Sequence, residues 1–467
     1  MRLQLRHRGG DHDLGRRRPR SGSGTRRFRL YPAFRGARFR GRRRRRESGH
    51  GPHTRQPDRR PVRRIRLFSR LGPVAGGGGD RSLVLRRPSH CPTVVHLDRD
   101  YLEAVPALIG GRKWVLVTSA GWAGRGTIKA ITGAAGAPVA VVDDVPENPA
   151  ISYVEKLASV KAADLVVAIG GGSVMDAAKG LAALQALAGE IPPFEAHLRD
   201  GEPLPEDLAP APLICVPTTS GTGSEVTRWA TIWGDEKVKF SLTDSRLYPS
   251  DAVLDPSLCI SKPRELTLAS GLDALSHAME AVWNNNHTPE SDRLATTAIG
   301  SIRNHLLIAL ERPDDIEARR EMQVASTIAG FAMGTTQTAL AHSISYPFTA
   351  LFGMPHGLAC SFTLPAVAEY NMGADQDRLG AIAEGLECEI ADIPAVLLAW
   401  FDEMMLGAAV GRYVSAADID GLGENLITRA RAANNLRAVD GATAKDIAKR
   451  SLGDLSGAGA ETAAAAP

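Results

Sequence analysis

The stretch DLVVAIGGGSVMDAAKG, residues 164–180, places three consecutive glycines between two segments of different character. Residues 165–169 are apolar and valine-rich, which is typical of a buried strand, and an alanine-rich segment of helical length follows Ser173. Glycines let a ligand approach the backbone closely, and the first N–H groups of a helix have no partner within it. The stretch therefore predicts a phosphate-binding loop, although it is not a GxGxxG motif. The alternative is a tight strand-to-helix turn with Ser173 as the N-cap.

Further strand-like segments surround this stretch and predict an α/β fold. They are TVVHL at 93–97, KWVLVTS at 113–119, PVAVVDD at 138–144 and APLICVP at 211–217. Alanine-rich segments of helical length lie between them, which indicates a parallel sheet covered by helices on both faces. VTRWATIW and KVKFSLT, separated only by GDE, predict an added β-hairpin. We place this α/β domain at residues 90–262.

A second polar loop, TTSGTGSEVT, follows the strand-like segment APLICVP. It offers the hydroxyl groups of Thr218, Thr219, Ser220, Thr222 and Ser224 around two glycines. Ligands of open α/β sheets bind at the carboxyl ends of the strands, where both loops are expected. Two such loops at one sheet edge favour a dinucleotide site, and the alternative is an ordinary Ser/Thr/Gly surface loop.

From residue 263 the apolar residues recur with helical periodicity, which predicts an all-helical second domain over residues 263–453 and a flexible tail over 454–467. The segment LASGLDALSHAMEAVW contains Asp273 and His277, which share one helix face because they are four residues apart. This spacing suits two ligands of one cation, and the alternative is a histidine packed in the core.

Two further histidines, His342 and His356, follow in TALAHSISYPFTALFGMPHGLAC. On one unbroken helix they would lie roughly 21 Å apart, too far to share an ion. Gly353 and Pro355 interrupt the helical pattern, so a new helix can begin at His356. One aspartate and three histidines would form a ligand set suited to Zn²⁺ or Fe²⁺.

The N-terminal 80 residues have a different composition from the rest of the chain. They contain 25 arginines, no lysine and five acidic residues, whereas the remainder is acidic. Such a segment cannot offset its ordering entropy, so we expect an Arg-rich disordered extension over residues 1–80. It is interpreted as an extension translated from a mis-set start codon, with a nucleic-acid-binding arm or a transit peptide as alternatives.

The overall composition limits the compartment and the partners. Five scattered cysteines without a CxxC motif argue against a disulfide framework and favour a reducing compartment, so we expect a cytoplasmic protein. No run of 18 or more apolar residues occurs, so no membrane association is expected. The acidic character of residues 81–467 speaks against nucleic acid as a partner.

The ordered motifs GGGSVMDAAK, PTTSGTGSEVT, KFSL, DAVLDPSL, SGLDALSHAMEA, AHSIS and MPHGLAC resemble those of the iron-dependent (group III) alcohol dehydrogenases. The resemblance covers residues 95–453. It implies a dehydroquinate synthase-like fold, with an N-terminal Rossmann-like dinucleotide-binding domain and a C-terminal helical metal-binding domain. It also implies an oxidoreductase that uses Fe²⁺, with Zn²⁺ or Mn²⁺ as alternatives, and NADP(H) or NAD(H), and that assembles as a homo-oligomer, most simply a dimer.

The resemblance also assigns roles to individual residues. The metal ligands would be Asp273, His277, His342 and His356. The cofactor-binding residues would be Asn148, Gly171, Gly172, Ser173, Asp176, Thr218, Thr219, Thr222 and Lys239.

Two departures from the family pattern bear on the chemistry. Ser119 stands where many relatives carry an aspartate that contacts the adenosine ribose, so a 2′-phosphate is tolerated and NADP(H) is allowed. Tyr346 stands four residues after His342, where many members have another histidine. A tyrosine hydroxyl, a water molecule or the cofactor ribose would then carry the proton, so we include Tyr346 among the catalytic residues.

A narrower resemblance links MEAVWNNNHTPESDRLA and AHSISYPFTALFGMPHG to the phosphonoacetaldehyde reductase branch, whose members belong to phosphonate antibiotic biosynthesis. It implies a small phosphonate aldehyde as substrate. Cationic partners for the phosphonate would come from Arg228, Lys262 and Arg264, and the asparagines 284–286 would either bind an oxyanion or only end a helix. The alternatives are a dehydrogenase of lactaldehyde, propanal or a similar small primary alcohol or aldehyde, and a non-redox cyclase related to dehydroquinate synthase.

Overall fold

Parallel strands dominate the first half of the computed structural model, which describes residues 83–422 and 426–464. The strands are β1 Leu83–Leu85, β2 Val94–Leu97, β3 Trp114–Val117, β4 Ala140–Val142, β5 Leu165–Gly170, β6 Leu213–Pro217, β7 Trp229–Trp233, β8 Lys239–Thr243 and β9 Asp251–Leu254. Seven of them form one sheet in the order β1-β2-β9-β6-β5-β3-β4, in which only β1 pairs antiparallel. The other two form the antiparallel hairpin β7-β8.

The central strands are buried on both faces, which explains their continuous apolar sequence. Along β5, Val166 and Ala168 face one apolar cluster, whereas Leu165, Val167 and Ile169 face another. Helices cover both faces. They are α1 Tyr101–Ile109, α2 Ala120–Gly124, α3 Thr127–Ala135, α4 Ile151–Lys156, α5 Gly172–Ala186 and α6 Ile191–Asp200.

The sheet brings the two polar loops together at one edge. Gly170 at the end of β5 is in register with Pro217 at the end of β6. The N–H of Thr218 then donates to the carbonyl of Gly170 over 3.0 Å. From β3 the chain continues to β4 on one side of the sheet, whereas from β5 it continues to β6 on the other side. Open sheets of this kind bind their ligands in the crevice that forms at the carboxyl ends of the strands where the direction changes.

The second half of the chain is helical. Its helices are α7 Arg264–Val282, α8 Pro289–Glu311, α9 Ile316–Thr336, α10 Leu340–Phe352, α11 His356–Ser361, α12 Leu364–Met372, α13 Gly380–Leu386, α14 Ile393–Glu403, α15 Leu406–Val410, α16 Ala416–Gly421, α17 Arg429–Ala432 and α18 Gly441–Ala464. All of them except α17 contribute to one large apolar core, and α7 is buried from Thr267 to Val282 except at Ser270. A helix that is apolar on all sides belongs inside a core, so the polar residues of α7 require a specific explanation.

These observations bear on the sequence predictions. The predicted fold class, the hairpin and the helix break between His342 and His356 are confirmed. The boundary between the α/β and helical domains was predicted after residue 262. In the structure, strand β9 ends at Leu254 and helix α7 begins at Arg264. The region predicted as a tail is helical as far as Ala464.

The predicted extension over residues 1–80 lies outside the described residues. In the part of the chain that is described, no helix is both long and apolar enough to cross a bilayer.

Candidate active site

Helices α7, α10 and α11 bring four predicted metal ligands together. Asp273 and His277 lie one turn apart on α7, His342 lies on α10, and His356 is the first residue of α11. Oδ1 of Asp273 is 3.9 Å from Nε2 of His277 and 3.6 Å from Nε2 of His342. The rings of His277 and His342 stack with centroids 4.7 Å apart, and the centroids of His342 and His356 are 5.3 Å apart.

Glycines allow this convergence. Gly353 ends α10 in the left-handed conformation with φ 66°, so the chain can turn back before His356. Gly357 then faces α7 so closely that a Cβ atom would lie 1.8 Å from the carbonyl oxygen of Ala269. Only a residue without a side chain lets α11 approach α7 at this point, and this approach places His356 beside Asp273.

Hydrogen bonds orient two of the imidazole rings. Nδ1 of His342 lies 2.6 Å from Oε2 of Glu280, so the ring donates to this carboxylate through Nδ1 and directs Nε2 towards Asp273. Nδ1 of His277 lies 3.3 Å from the carbonyl oxygen of Gly221, which leaves its Nε2 directed towards Asp273. Imidazoles that ligate metals commonly donate their other N–H group to a carboxylate or a carbonyl.

Two buried atoms at this cluster fit a bound cation. Within the described residues, Oδ1 of Asp273 and Nε2 of His342 are buried without a hydrogen-bond partner. Burial raises the pKa of Asp273, but the neighbouring histidines lower it more, so the carboxylate stays ionised. Burial lowers the pKa of His342, yet Cys360, Glu280 and Asp273 raise it well above its usual value. The surroundings of Nε2 therefore favour a positive charge, as a divalent ion would supply.

Cys360 also belongs to this cluster, although it was not among the predicted ligands. Ligand atoms of Asp273, His342, His356 and Cys360 all lie within 4.8 Å of one another. The sulfur of Cys360 is 3.6 Å from both ring nitrogens of His356. Its position four residues after His356 on one helix was the available signal.

The two glycine-containing loops form the opposite side of the site. Gly172 begins α5, and a Cβ atom there would lie 2.7 Å from Cγ2 of Thr222, so the loops are in direct contact. Ser173 Oγ accepts a hydrogen bond from the N–H of Asn148 over 3.1 Å. Asp176 Oδ1 accepts a hydrogen bond from Ser224 Oγ over 2.9 Å.

Lys179 fastens the loop 218–227 to α5, and it was not among the predicted site residues either. Its ammonium group is fully buried and donates to Ser224 O, Ser224 Oγ and Trp229 O over 2.7, 2.8 and 2.7 Å. Burial lowers the pKa of Lys179, with Asp176 as the main opposing charge. These contacts fix the position of the hydroxyl-rich loop relative to the N-terminus of α5.

One cavity of about 480 Å³ joins the two sides. The predicted site residues on its wall are Asn148, Gly171, Gly172, Ser173, Asp176, Thr218, Thr219, Thr222, Lys239, Asp273, His277, His342, Tyr346 and His356. Ser119 lines the same cavity where β3 ends, beside the glycine loop. The cavity therefore runs from the sheet edge to the histidine cluster.

Tyr346 lies next to the histidine cluster and is influenced by two cationic side chains, those of Lys239 and Arg431. Its ring lies over that of His356 with centroids 6.4 Å apart, and Nζ of Lys239 is 4.5 Å from the Tyr346 centroid. Burial raises the pKa of Tyr346, but Lys239 and Arg431 lower it more strongly. Arg431 lines the cavity, and no pattern in its local sequence distinguished it.

The structure corrects the proposed cationic partners of a phosphonate. None of Arg228, Lys262 and Arg264 lies on the cavity wall. Arg228 covers the ring of Trp229, Lys262 is buried and donates to Ser270, and Arg264 donates to the carbonyl of Met404. The lysine and arginine side chains that do line the cavity are those of Lys239 and Arg431.

Comparisons with known proteins agree with this geometry. Residues 92–256 match the model of the iron-containing alcohol dehydrogenases, and residues 267–404 match the C-terminal model of the Fe-containing alcohol dehydrogenase family. The chain is 35% identical to 1,3-propanediol dehydrogenase of Klebsiella pneumoniae over 59% of its own length and 72% of the relative's. It is 34% identical to phosphonoacetaldehyde reductase of Streptomyces viridochromogenes over 73% of its own length and 88% of the relative's.

A solved structure extends the similarity. The crystal structure of sulfoacetaldehyde reductase from Bifidobacterium kashiwanohense in complex with NAD⁺ superposes with a TM-score of 0.70 at 26% identity. The match covers 79% of this chain and 99% of that one.

The fold and the site together define a class of protein, the dehydrogenases that combine a nicotinamide nucleotide with a metal ion. Within that class, the chain belongs to the iron-containing alcohol dehydrogenase family. The predicted oxidoreductase activity and the predicted cofactors, iron and NAD(P), are confirmed at the level of the family. A non-redox cyclase is therefore no longer a competing interpretation.

Proposed function

We propose that this protein reduces phosphonoacetaldehyde to 2-hydroxyethylphosphonate with NAD(P)H in a metal-dependent reaction. The observation that carries the proposal is the single cavity, because one carboxylate and three imidazoles converge at one end and two glycine-containing loops form the other. The similarity to phosphonoacetaldehyde reductase over 88% of that protein's length supports this substrate.

We assign Asp273, His277, His342 and His356 as the metal ligands. The set fits a divalent ion of the Fe²⁺ or Zn²⁺ type, because it combines one carboxylate with three imidazoles and contains two unpartnered buried ligand atoms. When bound, the metal ion supplies Lewis acidity towards the substrate oxygen, and the reduced nicotinamide supplies the hydride.

The loops bind and orient the nucleotide in this proposal. The N–H groups of Gly172 and Ser173 open the 15-residue helix α5, whose N-terminus favours the negative charge of the pyrophosphate. Gly171 leaves room beside Thr219, because a Cβ atom there would lie 3.3 Å from Thr219 Oγ1. The remaining cofactor residues are Asn148, Asp176, Thr218, Thr222 and Lys239.

Tyr346 is our candidate for holding the proton that the product hydroxyl acquires. Its ring lies beside that of His356 and the residue lines the cavity, so Tyr346 borders the space assigned to the reaction. We expect Tyr346→Phe to lower kcat by about 10²-fold or more, as is typical when a positioned proton donor is removed.

The test is an NAD(P)H oxidation assay on metal-reconstituted protein with phosphonoacetaldehyde, propanal and lactaldehyde, using NADPH and NADH in parallel. We expect kcat/KM to be highest for phosphonoacetaldehyde. Equal or higher kcat/KM for propanal or lactaldehyde would reject the phosphonate substrate and favour the alternative of a small neutral aldehyde, in line with the similarity to 1,3-propanediol dehydrogenase.

A pair of histidine variants tests the metal assignment. We expect His356→Ala to lose both bound metal and activity, because it removes one of four ligands. His305→Ala is the matched control, since His305 lies on α8 and bonds to the carbonyl of Ser301 in its own helix. Wild-type turnover by metal-free His356→Ala protein would show that the reaction does not depend on this site.

We also propose that the protein is a cytoplasmic homodimer. The five cysteines are all free, which suits a reducing compartment. Size-exclusion chromatography with light scattering tests the dimer, and a monomeric mass at micromolar concentration would contradict it.

A further inference from the structure

Two cations face the same end of the cavity. Arg431 Nη1 donates to Gln337 Oε1 over 2.7 Å, and Nη2 donates to Ser241 Oγ over 3.3 Å. Lys239 reaches the same region from β8, over the face of Tyr346. Neither Arg431 nor Lys239 forms an ion pair with a carboxylate among residues 83–422 and 426–464. Their charges remain available to an anionic ligand.

Both cations line the cavity that also holds the histidine cluster. Tyr346 separates them from the histidine cluster, and its ring lies over His356 with centroids 6.4 Å apart. Lys239 and Arg431 both act electrostatically on Tyr346, and Lys239 also acts on His356. A short aldehyde with an anionic group at its other end can therefore contact the cluster and the cations together.

The fold holds Arg431 in this position. Asn285 Nδ2 donates to the carbonyl oxygens of Ala433 and Asn435 over 3.0 and 2.9 Å, which ties the segment after α17 to the end of α7. Asn434 Nδ2 donates to the carbonyl of Thr338 over 2.9 Å. The side chain that faces the cavity thus extends from a segment that is fixed on two sides.

The asparagines after α7 complete this support. Asn284 Nδ2 donates to the carbonyl of Gln337 over 3.1 Å, and Asn286 Nδ2 donates to that of Thr336 over 3.4 Å. Gln337, which accepts the hydrogen bond from Arg431, is therefore held in place as well. Asn284, Asn285 and Asn286 direct their amide groups to backbone carbonyls, so they position the residues around Arg431.

We propose that Arg431, assisted by Lys239, binds the anionic group of the substrate and makes the enzyme selective for aldehydes that carry a phosphonate or a similar anion. This inference rests on the proposed function. A guanidinium group suits the assignment because its planar N–H groups can donate two parallel hydrogen bonds to one oxyanion. Lys239 is also assigned to the cofactor, so Arg431 is the residue that tests substrate selectivity.

The experiment compares Arg431→Gln with Arg429→Gln, since Arg429 is an exposed arginine on the same short helix. The measured quantity is the ratio of kcat/KM for phosphonoacetaldehyde to kcat/KM for propanal. We expect Arg431→Gln to lower this ratio about 10- to 100-fold, because it removes a hydrogen-bonded charge pair. Arg429→Gln is expected to keep the wild-type ratio, and Arg431→Lys is expected to recover part of it.

Metal content, the thermal unfolding midpoint and the KM for NADPH are measured on the same variants. A ratio that is unchanged in Arg431→Gln overturns the inference. So does a rise in the KM for NADPH with equal losses for both aldehydes, because Arg431 would then serve the cofactor.

A separate outcome distinguishes the inference from the proposed function. If wild-type protein prefers sulfoacetaldehyde to phosphonoacetaldehyde and Arg431→Gln abolishes the preference for sulfoacetaldehyde over propanal, the proposed substrate is wrong and the anion site stands. If the wild-type protein prefers no anionic aldehyde over propanal, both proposals are wrong.

Discussion

Glu280 accepts a hydrogen bond from the candidate metal ligand His342, and its replacement by glutamine tests the role of this contact. Its carboxylate is fully buried on α7 and accepts three hydrogen bonds. Oε2 accepts from the N–H of Ala339 over 2.8 Å and from Nδ1 of His342 over 2.6 Å, and Oε1 accepts from the N–H of His342 over 3.1 Å. Burial raises the pKa of Glu280, but His342 lowers it more, so the group is a carboxylate at neutral pH.

Glu280→Gln keeps the shape of the side chain and removes one acceptor. If the amide nitrogen occupies the Oε1 position, the N–H of His342 loses its acceptor. If it occupies the Oε2 position, the N–H of Ala339 and Nδ1 of His342 both lose theirs. The first orientation is less costly, and it still leaves a buried donor unpaired and removes the charge that orients His342. We expect a loss of about 1–3 kcal/mol in the free energy of unfolding of the metal-free protein.

Metal affinity is expected to fall as well, because His342 is no longer held by a charged acceptor. Loss of such an orienting carboxylate typically weakens metal binding about 10- to 100-fold, which is roughly 1.4–2.7 kcal/mol. The assays are urea unfolding of the metal-free protein and competition for Zn²⁺ or anaerobic Fe²⁺ with a chromophoric chelator. Glu403→Gln is the control, because Glu403 is an exposed glutamate at the end of α14.

Wild-type metal affinity in Glu280→Gln would refute this reasoning, because the carboxylate would then have no part in presenting His342. A fall in affinity of the same size in Glu403→Gln would refute it too, since that change reaches the site only through net charge.

Two further predictions follow from other contacts. Gly172→Ala is expected to raise the KM for NADPH by about tenfold or more, because the new Cβ atom would lie 2.7 Å from Cγ2 of Thr222 and displace one cofactor loop, whereas Gly133→Ala, which meets nothing within 4 Å, should leave it unchanged. Nicotinamide fluorescence titration measures both variants, and equal affinities would contradict the assigned role of the loop. Asp244→Asn is expected to destabilise the protein by about 1.5–3 kcal/mol at pH 7, because Asp244 accepts two hydrogen bonds from the guanidinium of Arg246 over 2.8 and 2.7 Å. These bonds lower the pKa of Asp244, so its stabilising contribution is present above about pH 4 and is lost as the pH falls further. The difference in unfolding midpoint from wild type should therefore narrow as the pH falls below about 4, and a constant difference would show that charge is not the cause.

Local sequence was sufficient for the elements whose signal lies within a few residues. The valine-rich strand, the glycines and the alanine-rich helix of residues 164–180 occur in the structure in that order. The helix break at Gly353 and Pro355 was likewise predicted, because αL glycine and proline terminate helices through local sterics. The pair Asp273 and His277 could be recognised because helical spacing alone places them on one face.

Partners of these residues were harder to assign by sequence reasoning. Glu280 lies seven residues after Asp273 and continues the same helical stripe, and Cys360 lies four residues after His356. Both spacings could be read from the sequence. The role of a glutamate or a cysteine on a buried helix face cannot be assigned, however, until the residue that faces it is known. The three cations proposed near the cleft shared this difficulty, and the structure places all three away from the cavity wall.

The sequence by itself determined the alternating α/β region, the helical region that follows it and the chemistry of the four candidate ligands. These properties follow from periodicity, local backbone preferences and motif identity, which act over short distances along the chain. Only the tertiary structure decided which charges meet in the cavity. Arg431 lies 89 positions after His342 in the sequence, and it comes to the cavity because the asparagines after α7 bind the backbone around it. Such contacts depend on the packing of distant segments, and no local pattern records them.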